Sequence, residues 1–182
     1  PLRDYLTGLV HDGTPRLAAE LALGNPMIRV IHNPYVNLGY KYFQGVQAAR
    51  YDHITWIPGD NENAPDSIAR TWRHIGEADI IIPYPVNPEI RPWARRVLSR
   101  WYTIVNDLVF GLRLRYYNGL SIYRTDHLRR LPQWTESFAF ASEILVLLLK
   151  SGASFVEVPI RLQPRSSGKT SAFKLKNVLQ VL

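Results

Sequence analysis

The stretch that decides the fold is H-I-T-W-I-P-G-D-N-E-N-A-P-D-S-I, residues 53–68. Its first half, with Ile54, Thr55, Trp56 and Ile57, has the β-branched and aromatic composition of a buried strand. Pro58-Gly59 ends that strand, and three oxygen-rich side chains follow: Asp60, Asn61 and Glu62. Pro65 suits the first turn of a helix, where a missing N–H costs nothing, so the cap falls at Asn63 or Ala64. An acidic loop between the C-terminal end of a strand and a helix lies on the edge where open α/β sheets bind ligands. Two carboxylates one residue apart, flanked by an amide, can share a hard divalent cation that also takes phosphate oxygens. A solvated loop with an acid near a helix start has the same residue pattern and is at least as common.

Outward from this stretch, short apolar segments alternate with helical ones. Residues 1–11 show no clear period. Thr14-Pro15 starts a helix through Leu17, Leu21 and Ala22, with Asp12 also able to cap it, and Gly24-Asn25-Pro26 ends it. Residues 27–31 form a short strand and residues 40–49 a helix, joined by a loop containing Asn33-Pro34 and Asn37-Leu38-Gly39. After the acidic loop, residues 65–75 are helical, with Ile68 and Trp72 inward and Gly76 as the stop. Residues 78–83, A-D-I-I-I-P, make a further buried strand. This alternation is the pattern of a parallel α/β sheet.

The second half of the chain opens with a long helix over residues 91–111. Trp93, Val97, Trp101, Ile104, Val105 and Leu108 fall on one face, and Arg91, Arg95, Arg96 and Arg100 load the first half with charge. The plain expectation is that the apolar face packs on the core and the arginines point to water. The other is a helix lying at a membrane interface, since Trp, Tyr and Arg suit the headgroup layer. Residues 120–123 read as a strand, 125–131 as a short helix capped by Thr125-Asp126, and 138–150 as a helix too apolar for the surface. Residues 155–160 alternate as a strand whose Pro159 points to an edge or an end. Residues 165–170, R-S-S-G-K-T, form a basic loop.

At 182 residues the chain has the length of one domain, and 46% hydrophobic content excludes wholesale disorder. There is no cysteine, which excludes disulfides and thiolate metal sites. The formal charge of +7 favours anionic partners: phosphates, acidic lipid or nucleic acid. No recognised nucleic-acid module accompanies that charge. The five histidines show no ligand spacing and are read as structural or solvated. No apolar run reaches the length of a membrane span. Pro1 and the unfinished helix at Asn177 to Leu182 lead to the expectation that the sequence is part of a longer chain.

Several segments, in order, resemble glycosyltransferase family 2, in the branch of dolichyl-phosphate mannose synthase and the bacterial polyprenyl-phosphate glycosyltransferases. They are I-R-V-I-H-N-P-Y-V-N-L-G at 28–39, G-D-N-E-N at 59–63, A-D-I-I-I-P-Y at 78–84, R-R-V-L-S-R at 95–100, N-G-L-S-I-Y-R at 118–124, E-V-P-I at 157–160 and R-S-S-G-K at 165–169. The resemblance implies a GT-A fold, a Rossmann-like, mixed and mostly parallel α/β sheet flanked by helices. It implies one domain over 1–182, with a nucleotide- and metal-binding half at 1–90 and an acceptor-side half at 91–182. The family's Asp-x-Asp motif matches Asp60-Asn61-Glu62, which assigns Mg2+ or Mn2+ to Asp60 and Glu62 on the donor's diphosphate. The second acid is Glu in place of Asp and reaches further. Arg95 and Ser99 match residues that meet the acceptor phosphate. Arg165 and Gly168 match the basic loop that closes over phosphates; the usual lysine position holds Ser171, and Lys169 lies two residues earlier. Asn118 stands where the family has an aspartate, and Glu143 falls near the acidic position facing the acceptor. The family's first strand, with its Pro-x-x-Asn-Glu turn, has no recognisable counterpart here.

The implied partners are a UDP- or GDP-linked sugar and a lipid-phosphate acceptor, with the protein at the cytoplasmic face of a membrane, and no nucleic acid. A leaving diphosphate needs a cation and cationic side chains, and an ionised acceptor phosphate needs no strong base. The competing expectation is a non-catalytic transferase fold that docks on anionic lipid or a partner.

Overall fold

The computed structural model describes residues 3–7 (backbone only), 13–32, 37–132, 135–136 and 139–164. Arg165, Gly168, Lys169 and Ser171 lie outside them, as does Asp12. The chain begins with a parallel β-α-β unit: β1 (Arg3–Thr7), α1 (Thr14–Gly24) and β2 (Ile28–His32). β1 runs beside β2 in a register that sets Arg3 opposite Ile28 and Thr7 opposite His32. A strand thus stands in the segment where the sequence shows no period. The residues R-D-Y-L-T do not alternate apolar with polar, and pairing along β2 supplies what the pattern lacks.

Next come α2 (Leu38–Ala48), β3 (His53–Ile54), α3 (Pro65–Trp72) and β4 (Ile80–Pro85). A 3-10 turn at Pro88–Ile90 leads to α4 (Trp93–Phe110), followed by β5 (Ile122–Arg124), α5 (Thr125–Arg130), α6 (Phe140–Lys150) and β6 (Phe155–Ile160). These strands make a second sheet in the order β3-β5-β4-β6. β5 is antiparallel to both of its neighbours, and β4 is parallel to β6. The sheet is therefore mixed, with β3, β4 and β6 sharing one direction. Among the described strands β6 is an edge, in keeping with Pro159.

β4 shows why the fold is layered. Its side chains alternate across the sheet. Ile80 and Ile82 join a core with Tyr42 and Val46 of α2, Leu128 of α5 and Phe140, Ile144, Leu145 and Leu148 of α6. Ile81 faces the other way, into a smaller core with Ile122, Val158, Ile160 and Leu162, against which Trp72 of α3 packs. The strand predicted at 54–57 is shorter than its composition suggests. Only His53 and Ile54 pair with β5, while Trp56 packs edge-on against Phe140 with ring centroids 5.6 Å apart.

α4 overturns the plain expectation for its packing. The helix is where the sequence puts it, ended by Gly111 in the left-handed region at φ 62°. Its polar face, however, is the one that packs inward. Asn106 is buried, and Asp107 accepts hydrogen bonds from the Tyr117 hydroxyl at 2.7 Å and the Leu114 amide at 3.1 Å. Tyr102 bonds Ser142 of α6 and meets Tyr117 edge-on at 6.4 Å. The apolar face is left outside, with Trp93 72%, Trp101 62%, Leu108 78% and Val109 67% exposed. Tyr102, Asn106 and Asp107 each have a hydrogen-bond partner, so burying that face is tolerated. Burial above all, and then Asp107, pushes the Tyr117 phenol up, so it remains a donor at neutral pH. Tyr117→Phe removes one anchor of α4 and is expected to cost about 1–2 kcal/mol, read as a lower urea midpoint with an unchanged slope.

Candidate functional site

Three connections gather at the edge where β3, β4 and β6 end. The first is the acidic loop after β3. Pro58-Gly59 stops the strand, and Asn61 adopts a left-handed φ of 55°, a conformation asparagine tolerates better than most residues. Asp60 Oδ1 accepts the Glu62 amide at 3.2 Å, an Asx-type turn that closes the loop. The second is the segment after β6. The Gln163 amide donates to the Glu62 carbonyl at 2.9 Å, and its side-chain amide donates to the Asn61 carbonyl at 2.8 Å. Ser67 of α3 donates its hydroxyl to the Arg161 carbonyl at 2.7 Å. The third is the run after β4, where Asn87 bonds both the carbonyl and the amide of Leu162, at 2.9 and 2.8 Å. The acidic loop is thereby fixed on two sides before any ligand is considered.

The third connection also delivers Arg91. Preceding Pro92, it is held extended at φ −96° and ψ 149°, while Arg95 sits in the first turn of α4. Both reach Glu62. Arg95 donates to Oε1 at 2.5 Å and to Oε2 at 3.2 Å. Arg91 donates to Oε2 at 2.8 Å and, through its other terminal nitrogen, to the Tyr116 hydroxyl at 3.0 Å. All three side chains are largely buried. Burial alone would push the Glu62 carboxyl up; hydrogen bonds from Arg95 and Arg91 outweigh it and bring the group down to about 2. Glu62 is a carboxylate throughout the physiological range.

The expected residues are distributed as follows. Asp60 and Glu62 are adjacent in the loop, Asp60 half-buried and Glu62 buried. Glu62, expected beside Asp60 as an open cation ligand, has both oxygens on guanidinium groups, because the start of α4 lies directly against the loop. Arg95, expected at an acceptor phosphate, contacts that carboxylate. Ser99 lies one turn further along the same side of α4, its carbonyl taking the Thr103 hydroxyl at 3.1 Å. Asn118 is exposed in the loop before β5. The Glu143 carboxylate accepts the Thr135 amide at 2.8 Å, so in this structure it ties the approach to α6. Arg91 was named only among the charges of the long helix, and Tyr116 and Gln163 were not singled out from the sequence. Arg91 could have been found from its place before Pro92, four residues ahead of Arg95; the other two carry no signal.

Among the described residues no three His, Asp or Glu side chains cluster as a metal site. The donor set fits a cation at Asp60 with ligand oxygens making up the remaining positions, since Mg2+ commonly takes one or two protein carboxylates plus phosphate. It does not fit a cation on Glu62 as that carboxylate stands. A cavity of about 10 Å3 beneath the loop, lined in part by Thr55, Asn63, Thr71 and Trp72, has room for a single water. Neither arginine lines it.

A family model described as Glycosyl transferase family 2 matches residues 10–140, well over half of the chain. This chain belongs to glycosyltransferase family 2. Solved structures agree on the GT-A fold. Glucosyl-3-phosphoglycerate synthase from Mycobacterium tuberculosis, in complex with UDP, superposes with a TM-score of 0.73 at 15% identity, over 98% of this chain and 65% of its own. The same enzyme with Mn2+, UDP-glucose and phosphoglyceric acid gives a TM-score of 0.73 at 14% identity, over 98% and 65%. A further structure, described as a mycobacterial protein, gives 0.71 at 12% identity, over 93% and 58%. The family 2 chain thus spans just under two thirds of the length of these neighbours. No curated protein sequence matches it.

Proposed function

We propose that this family 2 chain transfers a sugar from a nucleotide-diphosphate donor to a phosphate-bearing acceptor. The observation that carries the reading is the meeting of an acidic loop with two buried arginines, Arg91 and Arg95, at the ligand-binding edge of the sheet. Asp60 would hold Mg2+ or Mn2+, which supplies charge for the departing diphosphate. Arg91 and Arg95 offer planar, multidentate donors matched to a phosphate, and Ser99 extends that side of α4 by one turn. An acceptor phosphate oxygen, ionised at neutral pH, forms the new bond to the anomeric carbon as the bond to the donor diphosphate breaks on the opposite side, which inverts the configuration. No general base is needed, and among the described residues no histidine stands at the site. Arg165 and Lys169 are the further candidates for the donor phosphates. The neighbours' UDP favours a UDP-linked donor.

In this reading the acceptor is a polyprenyl phosphate at an anionic membrane surface, and α4 meets that surface. No described helix is long and apolar enough to cross a membrane, but α4 has what an interfacial helix needs. Its outer face carries two tryptophans, and among the charged side chains of α4 the exposed ones are Arg96 and Arg100. The same helix carries Arg95 inward, so one element would seat the lipid and present the arginine to its phosphate.

Titration of UDP- and GDP-sugars against the chain, with and without Mn2+, tests the donor half. Asp60→Asn is expected to weaken metal-dependent binding about tenfold or more, at least what losing an outer-shell partner costs a metal site. Binding that ignores both Mn2+ and Asp60→Asn would remove the cation from the reading. Absence of any nucleotide-sugar binding, with vesicle binding retained, would favour the non-catalytic docking module.

A further inference from the structure

We infer that Glu62 is the positioning residue of an anion-binding arginine pair, Arg91 and Arg95, and that the cation is left to Asp60. The inference deepens the proposed function and rests on it for the cation. Glu62 is the second acid of the D-N-E motif, the position at which the family resemblance places a metal ligand. Its surroundings in this chain assign it differently. One carboxylate is held by two guanidinium groups through three hydrogen bonds, at 2.5, 2.8 and 3.2 Å. A divalent cation bound there would come within about 2.0–2.6 Å of oxygens already engaged by two positive charges in a largely buried place. Asp60 is the other carboxylate of the motif, partly exposed, and it turns the loop by accepting the Glu62 amide.

What Glu62 does for the arginines follows from their number and length. Arginine side chains lose considerable freedom when fixed, and a ligand that must order them binds more weakly. Here Glu62 fixes both, with Tyr116 as a second stop for Arg91. One carboxylate against two guanidiniums leaves a net positive charge. The pair also retains donors: Arg91 Nε is buried with no acceptor among the described residues, and each terminal nitrogen carries a second hydrogen. An incoming phosphate would meet an ordered, still unsatisfied fork. The loop and the fork are joined, since Asp60 bonds the Glu62 amide, so the cation and the acceptor site are set at a fixed spacing.

The test separates cation from anion, using the full chain. Mn2+ affinity in the presence of UDP is followed by the electron paramagnetic resonance of free Mn2+. Asp60→Asn should weaken it about tenfold or more, whereas Glu62→Gln should leave it within about twofold. In a second arm, inorganic phosphate is titrated in EDTA without nucleotide, and the Arg91 and Arg95 side-chain N–H signals are followed by NMR. Glu62→Ala, although it makes the site more positive, should weaken phosphate binding at least about fivefold and broaden both signals. Arg95→Lys keeps the charge but loses the bidentate fork, and should weaken phosphate binding with Glu62 intact. Equal loss of Mn2+ affinity in Glu62→Gln and Asp60→Asn would overturn the inference. So would phosphate binding that is unchanged or tighter in Glu62→Ala, with thermal melting confirming that the variant is folded. Absence of Mn2+ and UDP binding from the unsubstituted chain would overturn the donor reading and the cation assignment with it. The metal-free phosphate arm would still decide the role of Glu62.

Discussion

Gly119→Val is expected to destabilise the fold severely. Gly119 lies in the loop before β5, where a Cβ would stand 2.4 Å from the carbonyl oxygen of Pro83 and 3.3 Å from its Cγ. The nearer atom is backbone of β4, the strand that faces both cores, so it cannot give way as a flexible side-chain end would. Relief requires the loop or β4 to shift, and β4 pairs with β5 on one side and β6 on the other. Overpacking of this kind costs about 1–3 kcal/mol for an ordinary core insertion. A β-branched side chain forced against backbone should exceed that, reaching about 4 kcal/mol or more. Against a typical total of about 5–15 kcal/mol, the melting temperature should fall by roughly 10 °C or more, with most of the protein lost to aggregation. Gly59→Ala is the control, because a Cβ there meets nothing within 4 Å; it should change stability by about 0.5 kcal/mol or less. A melting curve for Gly119→Val that matches the unsubstituted protein would mean that the loop does not lie on β4 in solution.

The second large effect concerns the outer face of α4. Replacing Trp93, Trp101 and Leu108 together by serine should reduce binding to phosphatidylserine-containing vesicles by about fortyfold or more. Complete burial of one such side chain is worth about 1.5–3 kcal/mol. If an interface buries about half of that area, the three together account for roughly 2–4.5 kcal/mol, and about 1.4 kcal/mol is tenfold. All three are well exposed, so the variant should melt as the unsubstituted chain does. Arg96→Gln with Arg100→Gln should weaken binding about tenfold or more, at about 1 kcal/mol for each charge near an anionic surface. That loss should fade with added salt and vanish on pure phosphatidylcholine. Vesicle binding that ignores the serine variant would remove α4 from the membrane reading. A chain that sediments as a dimer and dissociates in the serine variant would assign the same face to a second copy.

Much of the fold was legible because its signals are local. A-D-I-I-I-P announces a strand buried on both sides, and β4 is one. The helix stops at Gly76, Gly111 and Gly152 all have positive φ, at 100°, 62° and 90°, where glycine alone is at ease. The place of the acidic loop, between a strand end and a helix, was legible from the strand, the Pro-Gly break and the helix start around it. The partners of Glu62 were not, since Arg91 and Arg95 lie 29 and 33 residues further on, and no spacing rule links a loop after β3 to the start of α4.

Apart from β1 and the short extent of β3, the sequence by itself determined where the chain is extended or helical, that α4 has two unlike faces, and that oxygen-rich side chains follow β3. Those properties depend on neighbours a few residues apart. Only the tertiary structure decided that α4 turns its polar side inward, because periodicity reveals the existence of an apolar face but not its direction. The direction depends on whether distant groups, here Leu114, Tyr117 and Ser142, satisfy the polar side chains that become buried. The same holds for Glu62: a carboxylate's chemistry is set by the charges that reach it, and those arrive through the packing of α4 against the sheet edge.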